Sequence, residues 1–302
     1  MENMSSLPAK PALLIVNPVP GKKLVQRSLG QIVRKLMDAG YLVTVCVTSR
    51  RGEAAELAEA LGGDYELVCC AGGDGTLNET LTGLARGDHR VPLGYLPCGS
   101  TNDFALSHGL SPDLKTAAAA IVSGRSRRYD VGRFCSDSYF SYVAAFGAFS
   151  WLSYTTDQNA KNLLGHTAYI LDGIKDLPKV KPYRVRLTAD GQVYEGSFLF
   201  GAVCNTLSIA GTLTLPEKEV DTCDGVFEVL LVREPKTLAE FQEIVTGLLT
   251  HDYSSLLLDF FHAREIVAEC PPDMDWTVDG EFPGHFDTVR ISPLPGFLEL
   301  RG

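Results

Sequence analysis

The chain has 302 residues, 45% of them hydrophobic, which is enough for two ordinary domains or one large one. Its 27 basic and 37 acidic side chains leave a formal charge of −10, a field that repels polyanions and argues against a nucleic-acid partner. Eight cysteines, at 46, 69, 70, 98, 135, 204, 223 and 270, show no CxxC or other metal-ligand spacing, and they read as buried thiols in a reducing compartment.

In chain order, the N-terminal stretch "MENMSSLPAKPALLIVNP" carries no basic region ahead of a long apolar segment. No apolar run anywhere approaches the ~20 residues a membrane span needs. A soluble cytoplasmic protein without a transmembrane segment is expected. "ALLIVN" then reads as a strand, and Val25, Leu29, Ile32, Val33 and Leu36 recur at helical spacing. "YLVTVCV", "EAAELAEAL", "YELVCCA", "LNETLTGLA" and "VPLGYLP" continue the alternation. This βαβα rhythm predicts a mostly parallel sheet with helices on both faces.

From about Tyr129 the texture changes to longer strand-like runs: "SYFSYVAAFGAF", "YRVRLTAD", "VYEGSFLFGAVCN" and "GVFEVLLV", with a turn signal at Asp190-Gly191. Two helical segments interrupt them, roughly 158–177 and 236–249, and hairpin-like strands are expected around Asp279-Gly280. The second part is therefore read as a β-rich domain. The run "SSLLLDFFHA" is read as a core helix or strand edge, or else an apolar contact for a bilayer or an acyl chain. Six scattered histidines without HxxxH spacing are assigned to no metal. The basic clusters Arg125, Arg127, Arg128 and Lys179, Lys181, Arg184, Arg186 read as solvated faces, with anionic lipid head groups as the alternative.

The stretch with most chemistry is "CCAGGDGTLNETLTGL", Cys69 to Leu84. Gly72, Gly73 and Gly75 let the backbone turn sharply between a buried strand and a helix whose face carries Leu77, Leu81 and Leu84. Thr76 and Glu79 have capping-box spacing, expected to fix the helix start. A phosphate at such a turn gains from unpaired N–H groups and the helix dipole. The loop is neither GxxxxGK[ST] nor GxGxxG. Asp74 would repel a phosphate unless a divalent cation stood between them, so Mg²⁺ is implied. The plain alternative is a glycine turn with Asp74 as a local cap.

"GGDGTLNE" resembles the nucleotide-binding signature of the diacylglycerol kinase catalytic-domain family, which includes bacterial lipid kinases, sphingosine kinases and ceramide kinases and is distantly related to NAD kinases and phosphofructokinases. "IVNP", with Asn17, is similar to the family's first strand and turn, and "VTSRRGEA" to its segment with a nucleotide-contacting threonine, here Thr48. "LPCGSTNDFA" matches the element that separates lipid kinases from NAD kinases, with Ser100 where threonine is usual; the hydroxyl survives the change. The resemblance runs from about residue 12 nearly to the end, with the motifs in family order.

The resemblance implies an α/β nucleotide-binding domain over 9–130, similar to NAD and diacylglycerol kinases, and a β-sandwich-like lipid-substrate domain over 131–294. The last strand, about 295–302, would return to the first domain, and the active site would lie in the interdomain cleft. It also implies ATP and Mg²⁺ as cofactors. Asn17, Thr48, Gly72, Gly73, Asp74, Gly75, Thr76, Leu77, Asn78 and Ser100 would contact the nucleotide. Asp74 with Asp103 and Asp130 would form the catalytic Mg²⁺ network, and Glu281 of "DGEFPG" would be the general base. In "DTCDGVFEV", the Asp224 carboxylate and the carbonyls of Asp221 and Val226 would hold a structural Mg²⁺. Further cationic help is expected from Lys22, Lys23, Arg50 or Arg51.

The expected activity is transfer of the ATP γ-phosphoryl group to a lipid hydroxyl, diacylglycerol by default, by a protein peripheral to the membrane. An NAD kinase-like enzyme and a catalytically silent nucleotide-binding regulatory protein are the alternatives. Oligomeric state is not readable.

Overall fold

A computed structural model describes residues 10–19, 24–99, 102–147, 181–209 and 213–302. The chain divides into two compact units, one running up to Tyr129 and taking in Gly296–Gly302, the other Asp130–Pro295.

The first unit is the expected alternation. Strands β1 (Lys10–Val16), β2 (Tyr41–Val47), β3 (Leu67–Gly72) and β4 (Leu93–Pro97) are separated by helices α1 (Leu24–Asp38), α2 (Glu53–Leu61) and α3 (Asp74–Arg86); α4 (Asp103–Ser107) and α5 (Leu114–Val122) follow. The strands are parallel in the order β4-β3-β1-β2. β1 and β3 are buried along almost their whole length, which is why both read as unbroken apolar runs. α1 and α5 contribute Val25, Ile32, Leu36, Leu114, Ala117 and Ile121 to a core with Leu14, Cys69 and Leu96. α2 packs on α3. A side chain at Gly83 would meet the Ala55 carbonyl at 2.1 Å, so this glycine sets how closely the two helices approach. The chain leaves β1 for β2 on one side and then crosses to β3 on the other, so the sheet's switch point lies between β1 and β3. Ligands of such sheets bind at that point, outside the carboxyl ends of the strands.

The second unit is antiparallel. β9 (Gln192–Cys204) pairs with β8 (Tyr183–Ala189) along its first half and with β7 (Val143–Gly147) and β12 (Phe227–Arg233) along its second. β13 (Leu258–Ala263) flanks β12, β14 (Ile266–Glu269) flanks β8, and β15 (Trp276–Val278) flanks β7. Helix α6 (Leu238–Thr250) starts at Thr237, whose hydroxyl caps the Glu240 N–H. Successive residues of β12 enter two different cores: Val229 and Leu231 join Phe198, Phe146 and Trp276, while Leu230 and Val232 join Ile244 and Leu248 of α6. Burial on both faces explains the continuous apolar text of "VLLV", Val229 to Val232. β5 (Ser126–Phe134) and β6 (Ser138–Phe140) pair with each other, and β10 (Ser208–Ile209) with β11 (Leu213–Thr214).

Several expectations change. "SYFSYVAAF" is two strands, β6 and β7, broken at Ser141-Tyr142. For "SSLLLDFFHA" the strand-edge reading holds and the helix does not: Leu258–Ala263 form β13 at the edge of the sheet, and Leu256 before it is exposed. The segment 158–177 lies outside the described residues. The last strand, β16 (Thr288–Arg301), is longer than "GFLELRG" suggests; it pairs with β14 through Thr288–Ile291 and ends parallel to β4 through Leu300 and Arg301. Of the cysteines, Cys69, Cys70, Cys98 and Cys204 are buried as expected, whereas Cys223 is exposed; all eight are free thiols. No helix of the described residues is long and apolar enough to cross a membrane.

Candidate active site

The carboxyl ends of β1, β2, β3 and β4 bring the first unit's candidate residues together. Asn17, just past β1, donates its backbone N–H to Ala71 O of β3, and its side-chain Nδ2 donates to Thr76 Oγ1 at 2.9 Å. Thr48, just past β2, is buried, and its N–H and hydroxyl both donate to Val16 O. Gly73 is the N-cap of α3, and Asp74 is the helix's first residue.

Here the capping-box expectation fails. The Thr76 hydroxyl accepts from Asn17, and Glu79 Oε1 accepts the Gly52 N–H at 2.8 Å, tying α3 to the start of α2. Among the described residues no side chain caps the helix. The Thr76 and Leu77 N–H groups both donate back to Gly73 O. Neither of these two N–H groups is therefore left for a ligand by the helix's first turn. Leu77 points into the core, so any contact it makes with a nucleotide is through its backbone.

A second glycine turn meets the first. A Cβ built on Gly73 would lie 3.2 Å from Gly99 Cα, and one built on Gly99 only 2.7 Å from Gly73 Cα. Gly99 is held by Asn102, whose Oδ1 accepts the Gly99 N–H at 2.8 Å and whose Nδ2 donates to Gly99 O at 3.0 Å. Asn102 adopts the left-handed conformation, φ 53°, which asparagine tolerates better than most residues. Its amide therefore closes the turn and does not cap α4, as its sequence position would suggest. From α4, the Phe104 N–H donates to Asp74 Oδ1 at 3.2 Å. Tyr95 donates its hydroxyl to Asn102 Oδ1 at 3.4 Å; burial, with the Asp74 charge beside it, holds this phenol well above its usual pKa, so it remains a donor. Cys70 and Cys98 are pushed up to about 12 by burial and remain neutral thiols, unsuited to nucleophilic work. Asn102, Tyr95 and the Phe104 amide are the residues that motif reading missed; only the strand register of β3 on β4 reveals them.

Ser100, Lys22, Lys23 and the Asp103 side chain lie outside the described residues; the Asp103 backbone opens α4. Arg50, one of the expected cationic helpers, is engaged by Glu56 through two contacts of 2.9 and 2.5 Å. Three members of the basic clusters face acids: Arg128 meets Glu299, Lys181 meets Asp273, and Arg186 meets Glu195 and Glu269. Lys179 lies outside the described residues.

In the second unit, Asp130 lies on β5. It is fully buried, and its Oδ2 accepts the Gly225 N–H at 2.6 Å. Residues assigned from sequence to two separate metal sites, Asp130 and the 221–226 loop, are therefore in direct contact. Within that loop Asp221 accepts the Cys223 N–H and Asp224 the Val226 N–H, each two residues on. Beside them Glu228 is buried, its Oε2 finds no hydrogen-bond partner among the described residues, and burial raises its pKa to about 8. Glu281 is exposed and pairs through its backbone with Val278, its N–H donating to Val278 O at 2.9 Å and its carbonyl accepting at 2.8 Å.

Among the described residues no group of three or more His, Cys, Asp or Glu side chains gathers around a metal position. Asp74 beside a glycine turn instead fits an ion of the Mg²⁺ type, which takes one or two carboxylates and completes its shell with water and substrate phosphates. The carboxylates and carbonyls at 221–226, next to Glu228 Oε2, likewise suit a hard cation.

The comparisons identify the lineage. Residues 11–134 match the diacylglycerol kinase catalytic domain. The chain is 32% identical to a diacylglycerol kinase of Bacillus subtilis over 91% of both chains, and 34% identical to one of Staphylococcus saprophyticus over 97% of this chain and 93% of that one. The chain belongs to the diacylglycerol kinase family. A crystal structure of a diacylglycerol kinase from Bacillus anthracis superposes with a TM-score of 0.77 at 26% identity, covering 98% of each chain. Membership makes the protein a phosphotransferase with an alcohol group as acceptor, and it favours the lipid kinase reading over the NAD kinase one.

Proposed function

We propose that the protein is an ATP- and Mg²⁺-dependent lipid kinase that transfers the γ-phosphoryl group to the hydroxyl of a diacylglycerol-like lipid, acting from the cytoplasm at the membrane surface. The observation that carries this reading is the position of Asp74: a carboxylate on the first residue of α3, against the paired turns of Gly73 and Gly99.

The glycine turn before α3 and the α3 dipole would receive the phosphates. Asn17 and Thr48 stand just past the carboxyl ends of β1 and β2 and, with Asn78, would fix the nucleotide. Asp74 would hold the cation, with Asp103 and Asp130 acting through water. Bound there, Mg²⁺ would neutralise charge on the transferring group. Glu281 would take the proton from the acceptor hydroxyl, a role that suits an exposed carboxylate fixed at its backbone. The loop lysine of other phosphate sites is thus replaced by a carboxylate and its metal. The 221–226 loop would hold a second, structural Mg²⁺.

Binding of a fluorescent ATP analogue, titrated with Mg²⁺, tests the nucleotide half of the reading. Wild type should bind with an affinity that rises with Mg²⁺, and Asp74→Asn should lose that dependence. Equal Mg²⁺ dependence in both proteins would show that Asp74 is not the metal's carboxylate.

A further inference from the structure

The proposed base sits on a two-residue turn that is firmly attached to the neighbouring strands. Val278 and Glu281 exchange backbone hydrogen bonds across Asp279-Gly280, and both central residues have positive φ, 48° and 84°. That is the primed type of hairpin turn, which Asp-Gly adopts more readily than most pairs.

Asp279 is held in this conformation by its own carboxylate. The side chain is buried, and it accepts four hydrogen bonds from one short segment between β6 and β7. Oδ2 takes the Ser141 N–H at 2.8 Å and the Ser141 hydroxyl at 3.0 Å; Oδ1 takes the Tyr142 N–H at 3.1 Å and the Val143 N–H at 3.0 Å. The Asp279 N–H donates in return to Val143 O at 2.9 Å. The break between β6 and β7 thereby acquires a purpose: it turns three consecutive N–H groups toward one carboxylate. Hydrogen bonds to an ionised acceptor are the strong kind, and a neutral amide in the same place would confront those donors with an NH₂ group.

We propose that Asp279 is a positioning residue for Glu281. By anchoring the turn to Ser141–Val143 it fixes the backbone from which Glu281 reaches the acceptor hydroxyl, while touching no substrate itself. This rests on the reading of Glu281 as the base. Displacing a catalytic group by about 1 Å costs roughly a hundredfold, and losing a general base costs about 10²–10⁴-fold.

The test is a double-mutant cycle on turnover of the full chain, using labelled ATP, Mg²⁺ and dioctanoylglycerol in mixed micelles, with melting curves for each protein. Asp279→Asn keeps the size and the left-handed tolerance, and it should lower kcat roughly tenfold to a hundredfold with the KM for ATP little changed. Added to Glu281→Ala it should lower kcat no further. Ser141→Ala, which removes only the hydroxyl bond, should show the same pattern with a several-fold effect, and it serves in place of Asp279→Asn if that variant does not fold. A wild-type kcat in Asp279→Asn, or the same further loss when it is added to Glu281→Ala, would overturn the positioning role and leave the base in place. Near-wild-type turnover in Glu281→Ala would overturn the base reading and the positioning role with it.

Discussion

Replacing Gly99 by alanine is the most informative small change at the glycine turns. The new Cβ would lie 2.7 Å from Gly73 Cα and 2.8 Å from Asn102 Oδ1. Non-bonded carbons rest at about 3.5–4.0 Å, so the two turns must part by about 1 Å. Neither neighbour can swing aside, since one is backbone and the other is a carboxamide bonded to both ends of the Gly99 peptide unit. Overpacking of this kind costs about 1–3 kcal/mol of stability. The larger effect is on chemistry: a shift of about 1 Å in the turns that receive the phosphates should lower kcat/KM for ATP roughly a hundredfold. Gly73→Ala is the internal control, because its Cβ would stand 3.2 Å from Gly99 Cα and needs a much smaller adjustment. Its loss should be several-fold. Steady-state kinetics with dioctanoylglycerol, alongside melting curves, would decide. Gly99→Ala within twofold of wild type, or Gly73→Ala the more damaging of two folded variants, would refute the close-approach reasoning.

Asp74→Asn preserves an acceptor for the Phe104 N–H and removes only charge, so kcat should fall about 10²–10³-fold with the melting temperature nearly unchanged. Asn102→Gly keeps the left-handed backbone and deletes the clamp on Gly99; with each lost hydrogen bond worth about 1 kcal/mol, the KM for ATP should rise about tenfold. His108, packed between the rings of Phe104 and Tyr129, has its pKa lowered to about 4 by burial, with the Arg127 charge adding to the effect. The unfolded chain then binds the extra proton first, so stability is full above about pH 6.5 and falls as pH drops toward 4, by up to about 3 kcal/mol. Urea melts across that range should show the fall in wild type and a much flatter profile in His108→Gln.

The α/β unit was legible because its signals are local. Each of β1 to β4 is a short apolar run bounded by turn residues, and α1 shows its buried stripe at Val25, Ile32 and Leu36 directly in the text. The glycine turn and Asp74 were legible for the same reason. Contacts between residues far apart in sequence were not. Thr76 and Glu79 have capping-box spacing, yet Asn17 and Gly52 claim their side chains from 59 and 27 residues away. Nothing near Asp130 in the sequence announces its bond to Gly225, 95 residues on. The break in "SYFSYVAAF" is invisible until Asp279 is placed against it, since alternation alone favours one continuous strand. Short-range pattern thus located the chemistry, while the groups that hold it in place come from strand register.

The most direct test of the lipid kinase reading is transfer of label from γ-labelled ATP, with Mg²⁺, to dioctanoylglycerol in mixed micelles, with NAD offered in a parallel reaction and Asp74→Ala run beside wild type. Label should enter the lipid with wild type, stay out of NAD, and fail to move with the variant. Label entering NAD and no lipid, or equal transfer by Asp74→Ala, would contradict it.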